Sequence, residues 1–165
     1  MANNSNPTPN NMTYRQMIDT FSTIATNHYQ IQSFNSGSLN DVDLEKLDVT
    51  NFPLLYVTPN PATVDAQTLT YSFDVIVATI IQEDFADLAD AYTEMLLILK
   101  DVIAEYRQAQ ETGSYVDQRT DLVLPITCEP FTSRFANMLT GWGATFQIVC
   151  NNENNLCAVP INPNT

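Results

Sequence analysis

A chain of 165 residues carries 19 acidic side chains against 6 basic ones, a formal net charge of −13, and Arg15, Lys46, Lys100, Arg107, Arg119 and Arg134 are scattered along it. Phosphate recognition needs basic groups gathered into a stripe, so direct nucleic-acid binding is disfavoured, and an anionic surface repels polyanions. The apolar content of 44% suits one buried core, yet no apolar run is long enough to span a bilayer, and residues 1–12 offer neither the cation nor the apolar block of a targeting signal, which leaves the cytoplasm where the chain is made as the starting compartment.

The first segment, MANNSNPTPNNM, is rich in Asn and Pro and has little to bury, so residues 1–12 read as an extended or disordered arm. Thr13 is a credible N-cap for a helix running to about Gln32, with Tyr14, Met17, Ile18, Phe21, Ile24, Ala25 and His28 forming its apolar stripe. Gly37 then breaks the chain, with Phe34 folded back onto the core. Between Ser38 and Val49, Leu39, Val42, Leu44 and Leu47 are expected to anchor one or two helical turns. Asp41, Asp43 and Glu45 stand at alternate positions there, as in a calcium loop. The glycine and the closing glutamate that such a loop needs are missing, so a solvated face is expected.

FPLLYVT, from Phe52 to Thr58, reads as a short strand broken by Pro59, Asn60 and Pro61. The polar stretch that follows predicts a long loop, and the chain returns as a strand over about 67–81. In that strand Leu69, Tyr71, Phe73, Val75 and Val77 project one way while Thr70, Ser72 and Asp74 project the other. From Asp84 the period changes to that of one long helix ending near Gln110. Its apolar stripe is read as Phe85, Leu88, Ala89, Tyr92, Leu96, Leu99, Ile103 and Tyr106.

After a loop at Gly113 and Ser114, a third strand is expected over about 120–128, with Pro125 assigning it an edge or a bulge. Residues 129–139 are expected to form a short helix carrying Phe131 and Phe135. Gly141-Trp142-Gly143 reads as a flexible corner, Ala144 to Cys150 as an alternating strand, and Leu156 to Ile161 as its hairpin return. The sum is a single α+β domain over 13–161, an antiparallel sheet of four to five strands packed by one long and one shorter amphipathic helix, with a short tail at 162–165.

Chemistry-bearing motifs are missing. Four glycines form no phosphate-cradling loop, and GxGxxG, P-loop and GxSxG patterns are all lacking. Cys128, Cys150 and Cys157 make no close CxxC pair, and with one histidine a zinc site is short of ligands. Reduced thiols are expected, although Cys150 and Cys157 would face each other across a hairpin. His28 reads as a core or interface residue, and the carboxylate pairs Glu83–Asp84 and Asp87–Asp90 as solvated. No catalytic residue, cofactor or metal is expected. The residue to single out is Trp142, whose flanking glycines allow close approach: it is either a core cap or an anchor at a subunit contact. Pro59, Asn60, Pro61 and, in the arm, Thr8 and Pro9 are the other candidate interface residues.

The strings FPLLYVTPNP, TLTYSFDVIVA, ANMLTGWGATFQIV and LCAVP, spread around a long helix, together resemble virion structural proteins of tailed bacteriophages. The likeness is to neck, ring and tail-completion proteins, those of crAss-like phages included, and covers roughly 13–161. The resemblance implies a tail-terminator-like or head-to-tail joining protein, made in the host cytoplasm and resident in the neck or tail of the virion. It implies a homo-oligomeric ring, six- or twelvefold, beside portal, connector or tail proteins, with DNA passing nearby unbound and no membrane involved. The family has no active site to carry over. The alternative is an acidic regulatory or DNA-mimic protein that occupies a partner's basic groove.

Overall fold

The computed structural model describes residues 13–38, 51–81, 87–116, 120–134 and 139–152, without the side chains of 133 and 134. The expectations for Thr8 and Pro9, for the acidic turns around Asp41, for Glu83, Asp84 and Phe85, for Phe135, for Cys157 and for the return over Leu156–Ile161 lie outside these residues.

The first helix, α1 (Tyr14–Asn27), starts where its cap dictates. Thr13 Oγ1 accepts from the Gln16 N–H at 3.2 Å, and Gln16 Oε1 accepts from the Thr13 N–H at 2.7 Å. This reciprocal capping box satisfies two donors that a helix start otherwise leaves bare. The helix stops at Asn27 and not near Gln32, because His28 is already in extended backbone at φ −87° and ψ 120°. His28 is therefore the C-cap and not a member of the apolar stripe.

Six strands follow: β1 (Ser33–Ser36), β2 (Leu54–Val64), β3 (Thr68–Ile80), and, after α2 (Leu88–Thr112), β4 (Asp121–Leu122), β5 (Cys128–Arg134) and β6 (Leu139–Asn151). They form one sheet in the order β1-β2-β3-β6-β4, with β5 also paired to β6. The sheet is mixed and not antiparallel throughout, because β1 pairs parallel to β2 from Ser33↔Leu54 to Ser36↔Val57, and it has six strands and not four or five, because residues 33–36 and 128–134 are both strands. SFNS has no alternating apolar pattern to announce a strand.

Three further expectations give way to longer strands. Pro59, Asn60 and Pro61 do not end β2; it continues to Val64, with Pro59 in the regular ladder opposite Phe73 and a register shift between Asn60 and Thr63 absorbing Pro61 as a bulge. Residues 128–134 are a strand and not a helix, with Phe131 opposite Gly141 and Pro130 opposite Trp142. Gly141-Trp142-Gly143 is no corner: it lies inside β6, which pairs with β3 without interruption from Asn151↔Thr68 to Leu139↔Ile80. The third strand expected over 120–128 shrinks to two residues, and the chain detours around Leu124-Pro125 before rejoining β6 as β5.

Both helices pack on one face of the sheet. Alternation in β3 sends Phe73, Val75 and Val77 into this core, as their period requires. They meet Met17, Phe21 and Ile24 of α1, Met95, Ile98, Leu99, Val102 and Tyr106 of α2, and Phe146 and Ile148 of β6. Phe21 sits at the centre, its ring centroid 5.6 Å from that of Phe73, 5.7 Å from Phe146 and 6.2 Å from Tyr106. The buried stripe of α2 is rotated from the expected one: Ala91, Met95, Ile98, Val102 and Ala109 are buried, while Ala89 is exposed and Tyr92, Leu96 and Ile103 lie on the flank. Small side chains at 91 and 109 let the helix approach closely, which a pattern of large apolar residues does not reveal. On the opposite face a smaller cluster joins Leu54, Tyr56, Ile76, Ala78 and Leu139, with Phe52 and Phe131 against it.

Candidate assembly surfaces

The end of the β2–β3 hairpin is built for exposure. Pro59 and residues 61–67 are all exposed, and Val64 keeps 72% of its surface open. The turn is held locally: the Asp65 N–H donates to Thr68 O at 2.8 Å, and Asn152 ties the tip to the end of β6 by donating from its backbone N–H to Gln67 O and from its side chain to Asp65 O. The expected interface residues Pro59, Asn60 and Pro61 are thus on one continuous, anchored hairpin.

Beside them, the sheet face opposite the two described helices turns polar. Asp74 Oδ1 accepts from Asn60 Nδ2 at 2.9 Å and from Thr145 Oγ1 at 2.8 Å, a bridge across β2, β3 and β6. Next to it lies an open depression of about 440 Å³, lined by Asp74, Ile76, Glu129, Phe131 and Thr145 among others. Sequence reading placed Asp74 on the outward face correctly but gave no sign that it would join three strands, since Thr145 lies 71 residues away.

Trp142 sits on the other face. Its Nε1–H donates to Tyr92 O at 2.9 Å, and its ring meets that of Tyr92 edge-on at 5.9 Å. The Tyr92 hydroxyl in turn hydrogen-bonds Thr132 Oγ1. Trp142 is therefore half-buried between α2 and the sheet. The glycine before it serves β3: a Cβ on Gly141 would fall 1.9 Å from Val77 O.

A second groove runs where the end of α1 meets α2. His28 Nε2 lies 3.0 Å from Asp101 Oδ2, and His28 Nδ1 accepts from the Gln30 N–H at 3.2 Å. That second bond assigns the proton to Nε2, which donates to the carboxylate. With both nitrogens engaged and the side chain only 9% exposed, the imidazole as placed has no open lone pair for proton abstraction. Glu105 lines the same groove, and its carboxyl is pushed above the usual range mainly by burial and further by Asp101, with His28 pulling the other way. Burial also raises the thiol of Cys128, which works against thiolate chemistry there. Among the described residues no group of three or more His, Cys, Asp or Glu side chains is placed to hold a metal ion, and no helix is long and apolar enough to cross a membrane.

The free edges of the sheet carry the groups that sequence reading missed. Ser33 donates to Pro53 O and Gly37 to Val57 O, so odd residues of β2 turn their backbone groups toward β1. Pro59, two residues on and past the end of β1, turns the same way into solvent. On the far side, Val123 donates to Gln147 O, so odd residues of β6 face β4 and β5. Their partners Glu129 and Phe131 face back, and Pro130 faces outward. Prolines in strands were visible in the sequence; which way they turned was not.

A scan against models of known protein families finds no match, and a search of curated proteins finds none either.

Proposed function

We propose that this chain is a non-enzymatic virion protein of a tailed phage, one that forms an oligomeric ring in the neck or tail and joins the capsid portal to the tail as a connector or terminator. The observation that carries the reading is the one-sided layout among the described residues: both helices cover a single sheet face, while the hairpin end is exposed and anchored and the polar Asn60–Asp74–Thr145 bridge lies on the other face. A surface that is ordered by its own hydrogen bonds before a partner arrives loses little entropy on docking. The charge of −13 supports the same reading, since a ring around a DNA path must not hold the DNA. Repeated heterologous contacts between identical copies close into a ring when the rotation permits.

The acidic-mimic reading needs carboxylates gathered on one face. The exposed side of α2 interleaves Lys100 and Arg107 with Asp90, Glu94, Asp101 and Glu111, so no observation favours it.

Native mass measurement of the purified chain, alone and with portal, connector and tail proteins encoded beside it, tests the proposal. A closed six- or twelvefold oligomer is expected, and Thr63→Lys with Val64→Lys at the hairpin end should shift it toward monomer. A chain that stays monomeric in every mixture rejects the reading.

A further inference from the structure

We infer that both edges of this sheet are closed to strand addition by another copy of the chain, and that particular residues do the closing. The inference concerns how copies are kept from joining and holds whether or not a ring forms.

A free strand edge is a row of unpaired N–H and C=O groups, and a second copy can add a strand wherever donors and acceptors alternate. Among the described residues this sheet has two such edges, and each is interrupted. On the first, β1 covers β2 only as far as Val57, leaving the rest of that eleven-residue strand as overhang. Its first outward position beyond β1 is Pro59, which has an acceptor and no donor. Pro61 follows inside the bulge, where the strand bends away from a straight ladder. On β1 itself the residues facing β2 are Ser33, Asn35 and Gly37, so Phe34 and Ser36 face outward. The Ser36 N–H is already taken, because Asn35 Oδ1 accepts from it at 2.8 Å.

On the second edge, β5 turns Cys128, Pro130 and Thr132 outward by the alternation that pairs Glu129 and Phe131 with β6. Pro130 is the middle one of the three, so an incoming strand would lose the central bond of the ladder. Farther along, β4 is two residues long and the chain leaves the edge at Leu124-Pro125. Every stretch of free edge among the described residues therefore carries a missing donor, an occupied donor or a break.

One interruption is an accident that many sheets contain. Four of them, three at outward-facing positions and one inside the bulge, made by three prolines and one asparagine, follow the pattern that keeps edges apart. The partner refused is a second copy of this chain.

The test is a full-length variant carrying Asn35→Ala, Pro59→Thr, Pro61→Thr and Pro130→Thr, which restores a donor at each guarded position. Light scattering after size exclusion should show its mass climbing several-fold with concentration into open-ended species, over a range where the parent mass is constant and with an unchanged unfolding midpoint. A folded variant that keeps the parent's mass overturns the inference. So does growth accompanied by a lowered midpoint in the quadruple variant and in Pro130→Thr alone, because instability would then be the cause. An independent reading uses the unaltered chain: the outward amides of Phe34, Cys128 and Thr132 should exchange with deuterium equally fast in dilute and concentrated solution. Protection of these amides on assembly would show strands being added and would end the inference.

Discussion

At Trp142 three effects meet on one side chain. The indole covers the edge of the core, stacks edge-on against Tyr92, and spends its one donor on the Tyr92 carbonyl. That carbonyl belongs to the first turns of α2, so the bond fixes where the helix lies over β6. Trp142→Phe keeps an aromatic ring but abandons the hydrogen bond and leaves a gap; a loss of about 1–2 kcal/mol is expected from the bond and part of the ring. Chemical denaturation would measure it, and an unchanged midpoint would mean the indole does not anchor α2. Trp142 was legible as a residue with two roles, cap or contact, and its hydrogen bond to a residue 50 positions away supplies the first. His28 shows the opposite case. Its place on the helical stripe was sound arithmetic, but the helix ends one residue too soon, and the side chain serves instead to clip the α1 terminus to Asp101.

Among the elements, β3 was the most readable and β5 the least. Leu69 to Val75 alternate in sequence, and Phe73 and Val75 are buried on either side of half-buried Asp74; Ile76 then breaks the pattern by joining the apolar cluster of the other face. In β5, CEPFTSR has a proline, four polar or charged residues and one large apolar side chain, and its strand character comes from its partner and not from itself. The same holds for β1, four residues that pair only because β2 is there. Long β6 was half legible: its ATFQIVC end alternates, while the glycines at its start suggested a bend. Those glycines have a packing cause at 141, where the backbone of β3 fills the space a side chain would need. Gly141→Ala must push β6 away from Val77 by more than an ångström, since a contact of 1.9 Å cannot be tolerated. The expected cost is about 3 kcal/mol or more, in the range of overpacked cores, read as a fall in the thermal midpoint. Gly143→Ala, whose Cβ would meet its nearest neighbour at 3.6 Å, is the control and should cost far less.

Over the whole molecule, stability should grade from the middle of the sheet outward. β3 is paired on both sides for most of its length, and β6 is paired along all of one side and most of the other, with the aromatic cluster of Phe21, Phe73 and Phe146 on top. Edge strands β1 and β4 have one neighbour each and bury less. Native-state hydrogen exchange should therefore find the slowest amides in Val75–Val77 and Ala144–Phe146 and the fastest in β1 and β4. Equal protection across all six strands would contradict this grading. The α+β class was readable because helical and strand periods alternate along the chain; the strand order was not, since nothing local tells β5 and β4 that they share one side of β6.

The central position of β6 has a consequence for how the molecule comes into being. The partner that completes β3 lies 83 residues later for Thr68, which pairs with Asn151, and every strand except β1 and β2 waits for the same late segment. Synthesis runs at about 5–20 residues per second, so a nascent chain must spend several seconds with an apolar strand unzipped before its mate leaves the ribosome. Such distant closure also makes refolding slow for the chain's size.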